Sequence, residues 1–106
     1  MKVIIIESSY PEDFYRRELD GNSVASLLNT IRIENELRYV LDFAHFKKAI
    51  SEGMHRRFQI LHLSCHGDET GVALADNYQP AWAEFAHAFQ DSGSPPVLVM
   101  SACCGA

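Results

Sequence analysis

Phe58-Gln59-Ile60-Leu61-His62-Leu63-Ser64-Cys65-His66-Gly67 is the stretch that decides the fold. Its apolar residues form a run short enough for one strand, and Gly67 is expected to end it. A second stretch has the same form. Val97-Leu98-Val99-Met100 is a β-branched and apolar strand leading into Ser101-Ala102-Cys103-Cys104-Gly105-Ala106. Each strand therefore delivers a polar, reactive motif at its carboxyl end.

Working outward, Val3 to Ile6 is a continuous β-branched run, as expected of a strand buried on both faces of a parallel sheet. Residues 7 to 21 are polar and read as a long connection, a common place for ligand contacts. From Ser23, the residues Val24, Leu27, Leu28 and Ile31 have helical spacing, with Asp20, Asn22 and Ser23 as capping oxygens. Leu37 to Leu41 reads as the second strand. Asp42 then caps a helix with Phe43, Phe46 and Ile50 on its apolar face, ending near Arg57. Gly71 to Asp76 is a weak strand or hairpin arm. Pro80 suits the first turn of a third helix, whose face is Trp82, Phe85, Ala86 and Phe89 and which stops at Ser92 to Pro96. Alternating strands and helices call for right-handed crossovers. We expect an α/β fold over 1–106 as one domain, with a mostly parallel sheet of about four core strands and helices on both faces. Chemistry in such sheets gathers beyond the strand carboxyl ends, where 65–67 and 101–105 lie.

Composition narrows the function classes. The 106 residues are 47% hydrophobic and 22% charged, with no repeats, which suits one globular core. A net charge of -5 with scattered basic residues builds no phosphate-binding stripe, so no nucleic-acid partner is expected. The amino-terminal apolar run is too short for a signal peptide or a membrane span, so no membrane partner and a cytoplasmic address are expected. Three cysteines without an export signal argue against a disulfide framework.

A thiol attacks as thiolate, and at a pKa near ~8.5 a free cysteine is only a few per cent ionised at neutral pH. A histidine in reach can take that proton and later return it to a leaving amine. His66 and Cys103 stand at equivalent heights on strands expected to be neighbours, roughly 5 Å apart. A turn at Gly67 is expected to aim amides outward, making the backbone N–H groups of Gly67 and Cys103 candidate oxyanion donors, with Gly105 allowing close approach of substrate. Cys104 is the alternative nucleophile and otherwise packing, and Cys65 reads as a small core residue. A zinc site from Cys65, His66, Cys103 and Cys104 lacks Cys-x-x-Cys spacing and sets neighbours on opposite faces, so no metal and no cofactor are expected. His62 reads as a hydrogen-bonded core histidine, and His45, His55 and His87 as surface. The Trp82/Phe85/Phe89 stripe reads as core.

Cys65-His66-Gly67 after an apolar strand resembles the strand-His-Gly motif of the caspase-like cysteine peptidases, and Ser101-Ala102-Cys103 resembles the Ser-Ala-Cys of their CHAT branch. The resemblance runs along nearly the whole chain, through Arg16-Arg17, Asp20-Gly21, Tyr39-Val40 and Asp68-Glu69. It implies a caspase-like three-layer fold with the core strands in the order 2-1-3-4, and peptide-bond hydrolysis by a metal-free dyad, with His66 as general base and Cys103 as nucleophile. It also implies a protein or peptide substrate and, from the CHAT branch, a role in bacterial defence or cell death. The chain departs from the caspase pattern at Ser101 and Cys104, and its His-to-Cys separation is shorter than the roughly 50 residues given for caspases. Relatives continue with further strands past the nucleophile. The fourth-strand edge is accordingly expected to pair with a second copy or a missing carboxyl-terminal segment. For substrate contacts, Arg17 suits an acidic side chain, whereas Asp68, Glu69 and Asp76 suit a basic one. Two other functions stay open: a non-catalytic interaction module, and a thiol redox sensor using Cys103 with Cys65 or Cys104.

Overall fold

The computed structural model describes residues 1–16, 19–68, 71–92 and 97–104, with the side chains of 14, 67, 68, 91, 92 and 101–104 excepted. The elements in chain order are β1 (Lys2–Ser8), α1 (Pro11–Arg16), α2 (Asp20–Thr30), β2 (Glu34–Tyr39), α3 (Phe43–His55), β3 (Ile60–Asp68), β4 (Gly71–Ala73), α4 (Trp82–Ser92) and β5 (Val97–Cys104). β2, β1, β3 and β5 lie side by side and run parallel, which is the order anticipated for the four core strands. β4 pairs antiparallel with the end of β3, as a hairpin arm. β5 holds one edge of β3 as far as Gly67, so β4 takes the other edge and continues the lane of β1. Ala75 N–H donates to Ser8 Oγ at 2.9 Å where the two meet.

β1 shows why an unbroken β-branched run is needed. Val3, Ile4, Ile5 and Ile6 are all buried, because both faces of this strand are covered. Ile4 and Ile6 join Leu61, Leu63 and Cys65 in a core closed by Phe46, Ala49 and Ile50 of α3 and by Phe85, Ala88 and Phe89 of α4. α3 packs so closely that a Cβ on Gly53 would lie 3.3 Å from Ile4 Cδ1. On the opposite face, α2 packs across β1 and β2, and a Cβ on Gly21 would meet Glu7 and Leu37. Ile4 and Glu7 are three residues apart on one strand and face opposite ways, so the helices occupy both faces of the sheet.

Several boundaries depart from the sequence reading. The connection after the first strand contains α1, and α2 begins at Asp20 instead of Ser23. None of Asp20, Asn22 or Ser23 caps α2: its N-cap position is Leu19, with no side-chain cap, and Gly21 N–H donates instead to Glu7 Oε1 at 2.6 Å. Leu27 and Ile31 stay exposed because α2 covers only part of its sheet face. β2 starts at Glu34 rather than Leu37. It is an edge strand, so its residues need no continuous apolar run, and its charges are paired, Glu34 across to Lys2 of β1 at 3.4 Å and Arg38 along the strand to Glu36 at 3.3 Å. In α4 the buried face is Phe85, Ala88 and Phe89. Ala86 is exposed and Trp82 only half covered, with its ring edge-on to Phe85.

Asp42 caps α3 as anticipated, its side chain accepting from His45 N–H at 2.8 Å. That backbone bond, followed by the contact to the His45 side chain, lowers the Asp42 pKa. Gly71 is required by close approach: a Cβ there would stand 2.5 Å from the Pro80 carbonyl oxygen, a backbone atom with no room to withdraw. Val97 to Met100 of β5 are 48%, 40%, 40% and 37% exposed, so this strand lies open on both faces despite its apolar sequence. Among the described residues no helix is long and apolar enough to cross a membrane.

Candidate active site

The carboxyl edge of the sheet brings the two motifs together at the level of the backbone. β3 and β5 pair in register from Ile60↔Val97 to Gly67↔Cys104, and His66 is the direct partner of Cys103. The expected turn at Gly67 is not formed. β3 runs on through Gly67 to Asp68 and β5 through Cys103 to Cys104, because each extends the other's ladder and β4 secures the end of β3. Gly67 and Cys103 thus sit in strand backbone, where the anticipated outward-facing amides of a tight turn are not found. Of Asp68, Cys103 and Cys104 only the backbone is described, and Arg17, Glu69 and Gly105 lie outside the described residues.

The His66 side chain is held from the loop and helix after β1. Its Nε2–H donates to Asp13 Oδ2 at 2.7 Å, and its ring stacks on Tyr10 with centroids 4.1 Å apart and planes 7° from parallel. Tyr10 and Asp13 come from one turn at the start of α1, closed by Asp13 N–H donating to the Tyr10 carbonyl at 2.9 Å. The His66 side chain is 36% exposed, which leaves it open to a ligand while fixed on two sides.

Beneath this pair is a buried carboxylate. Glu7 is 0% exposed and accepts from Gly21 N–H, from Ser9 Oγ, and from Ser64 Oγ at 3.3 Å. The register Glu7↔Ser64 places it two residues before His66 along β3, on the same face. His62 lies deeper on that face, with Nε2 3.6 Å from Asp20 Oδ2 and a side chain 13% exposed. Arg16 is exposed and pairs with Glu12 at 2.7 Å, a solvated helical pair. Asp76 accepts from Tyr78 N–H at 3.0 Å and so serves its own turn. His45, His55 and His87 are exposed.

Sequence reading missed Asp13, Tyr10 and Glu7. Pro11 followed by Glu12 and Asp13 is a helix-start signal that could have revealed α1. Its contact with His66, 53 residues away, is tertiary and had no local signal.

Cys65 faces the core, opposite to His66. Burial, and then the nearby Glu7 charge, push its thiol from the ordinary 9.0 up to about 12. At pH 8 its thiolate fraction is then about 10⁻⁴, so iodoacetamide should leave Cys65 unmodified in the folded chain and label it only after denaturation, as read by peptide mapping. Since the folded value is the higher one, the stabilisation is complete below pH 9 and should decline as pH rises toward 12. Among the described residues, no group of three or more His, Cys, Asp and Glu side chains is arranged to hold a metal ion.

Fold and site together define a class, an α/β protein whose mostly parallel sheet presents a carboxylate-held histidine at its carboxyl edge. No family model matches the chain, and no curated protein matches it.

Proposed function

We propose that the chain is a cysteine endopeptidase of caspase or CHAT type, with a cytoplasmic address and a protein or peptide substrate. The observation that carries this reading is the backbone register His66↔Cys103 on adjacent parallel strands. Neighbouring strands are about 4.8 Å apart, and register partners share a face of the pleat. A thiol at 103 then has an imidazole at 66 within the span of one strand spacing, as nucleophilic catalysis needs. The partly open, doubly braced His66 ring supports a general-base role.

His66 takes the thiol proton, and the sulfur forms a bond to the scissile carbonyl carbon. The C–N bond breaks as His66 returns that proton to the leaving amine. Water, deprotonated by His66, then cleaves the thioester, restoring the thiol and releasing the carboxylic acid. Among the described residues β5 pairs with β3 on one side, and its other edge supports pairing with a further strand, from a second copy or a carboxyl-terminal segment.

The test combines a fluorogenic peptide panel with a cysteine-directed covalent probe mapped by mass spectrometry. Hydrolysis lost in Cys103→Ala, together with probe on Cys103, supports the reading. No probe on Cys103 and no hydrolysis across the panel would remove it. One observation favours a second reading, a non-catalytic interaction module: Gly67 and Cys103 lie within the ladder instead of in a turn. That module would keep its biological effect in Cys103→Ala.

A further inference from the structure

We propose that Asp13 is the positioning residue for His66, committing Nε2 to the carboxylate so that Nδ1 is the nitrogen that exchanges a proton with Cys103. The inference rests on the peptidase reading above and specifies how its general base is arranged.

A carboxylate accepts and does not donate, so the 2.7 Å contact between Asp13 Oδ2 and His66 Nε2 requires the proton on Nε2. In the neutral ring the lone pair is then on Nδ1. Nδ1 is also the nitrogen suited to a partner on the next strand: it is two bonds from Cβ, whereas Nε2 is three bonds away and occupied by Asp13. The register His66↔Cys103 puts the thiol-bearing residue directly across. One nitrogen for the orienting acid and the other for the nucleophile is the division of labour that a base in a triad needs.

Tyr10 complements this role. Stacking at 4.1 Å and 7° fixes the plane of the ring, and Asp13 fixes its rotation within that plane. Because Asp13 N–H bonds the Tyr10 carbonyl, both braces move as one unit at the start of α1. When Nδ1 takes the thiol proton, the resulting imidazolium keeps Nε2–H on Asp13. The anionic carboxylate stabilises that cation and thus the thiolate–imidazolium pair. His62, set deeper on the same face, has Nε2 3.6 Å from Asp20 Oδ2, longer than the 2.7 Å contact of His66 with Asp13.

The experiment measures carbamidomethylation of Cys103 by iodoacetamide as a function of pH, by peptide mapping, in the full chain and in H66A, D13N and D13A. Nitrogen-15 NMR of the His66 ring is recorded alongside. In the unsubstituted chain, Cys103 should react below neutral pH, and His66 should show the Nε2–H tautomer. H66A should remove that acid limb. D13N, which keeps shape but not charge, should move the limb upward by about one pH unit, a tenfold loss of rate on the limb, and mix the tautomers. If H66A leaves the Cys103 profile unchanged, there is no dyad and the positioning role falls with the peptidase reading. If H66A removes the limb while D13N and D13A retain both profile and tautomer, the role of Asp13 is overturned and the dyad stands. Should D13A unfold by circular dichroism, the isosteric D13N carries the same decision.

Discussion

Replacing His66 by alanine is expected to lower peptide hydrolysis by about 10³-fold, within the 10²–10⁴ range of general acid–base catalysis. On the transition-state scale this is roughly 4 kcal/mol. In the proposed reaction two steps depend on the same ring, deprotonation of the thiol and protonation of the departing amine, and neither described brace can replace it. Asp13 is an acceptor toward Nε2, and Tyr10 offers a ring face. The double variant with Cys103→Ala should be no slower than Cys103→Ala alone, since residues acting as one unit are not additive. The fold should survive, because the His66 side chain is 36% exposed and fills no core space. Unchanged hydrolysis in His66→Ala, with folding intact, would contradict the proposed chemistry.

For Glu7→Ala the expected result is a loss of about 2–4 kcal/mol in unfolding free energy, combining orphaned donors with a cavity. Glu7 is 0% exposed at the end of β1 and collects three donors from three parts of the chain: Gly21 of α2, Ser9 after β1, and Ser64 of β3. The serine hydroxyls can rotate to other acceptors. The Gly21 amide cannot, because it belongs to the first turn of a helix that has no side-chain cap of its own. Glu7→Gln keeps an acceptor for Gly21 and should cost less, about 1 kcal/mol. Gly21→Ala should destabilise as well, since its Cβ would lie 2.6 Å from Glu7 Oε1 and 3.2 Å from Leu37 Cδ1. The carboxylate is tied on both oxygens and has nowhere to swing. Because α1 lies between Glu7 and α2, loosening this clamp should also free Asp13 from His66 and reduce hydrolysis in proportion. Urea unfolding monitored by circular dichroism decides the matter, and an alanine variant within 0.5 kcal/mol of the parent chain would show that the clamp is dispensable.

Both residues illustrate what local reading can and cannot reach. His66 was legible because its motif follows an apolar strand, and the parallel order of strands predicts which edge that strand delivers it to. Glu7 was not. It directly follows the Val3-Ile4-Ile5-Ile6 run and looks like the first polar residue of a loop, yet β1 continues through Ser8 and buries it. Asp20, Asn22 and Ser23 lie where caps ordinarily lie, yet the acceptor for the first turn of α2 is supplied from 14 residues earlier. β2 begins three residues before the apolar stretch Leu37 to Leu41, because an edge strand needs no apolar alternation. β3 and β5 run past Gly67 and Met100, their expected ends, to Asp68 and Cys104. Glycine weakens a strand, but here pairing on two sides outweighs that tendency.

Sequence alone determined the α/β class with its mostly parallel sheet, the capped α3 with its Phe46 and Ile50 face, and the placing of 66 and 103 at one sheet edge. These follow from periodicity and chain connectivity, which are local or topological and leave few solutions. Only the tertiary structure decided that Asp13 and Tyr10 hold His66, that Glu7 caps α2, and that β5 lies open despite its apolar residues. Each is a contact, or the lack of one, between segments far apart in the chain, and residue type sets what a side chain can bind without setting what packing brings to it.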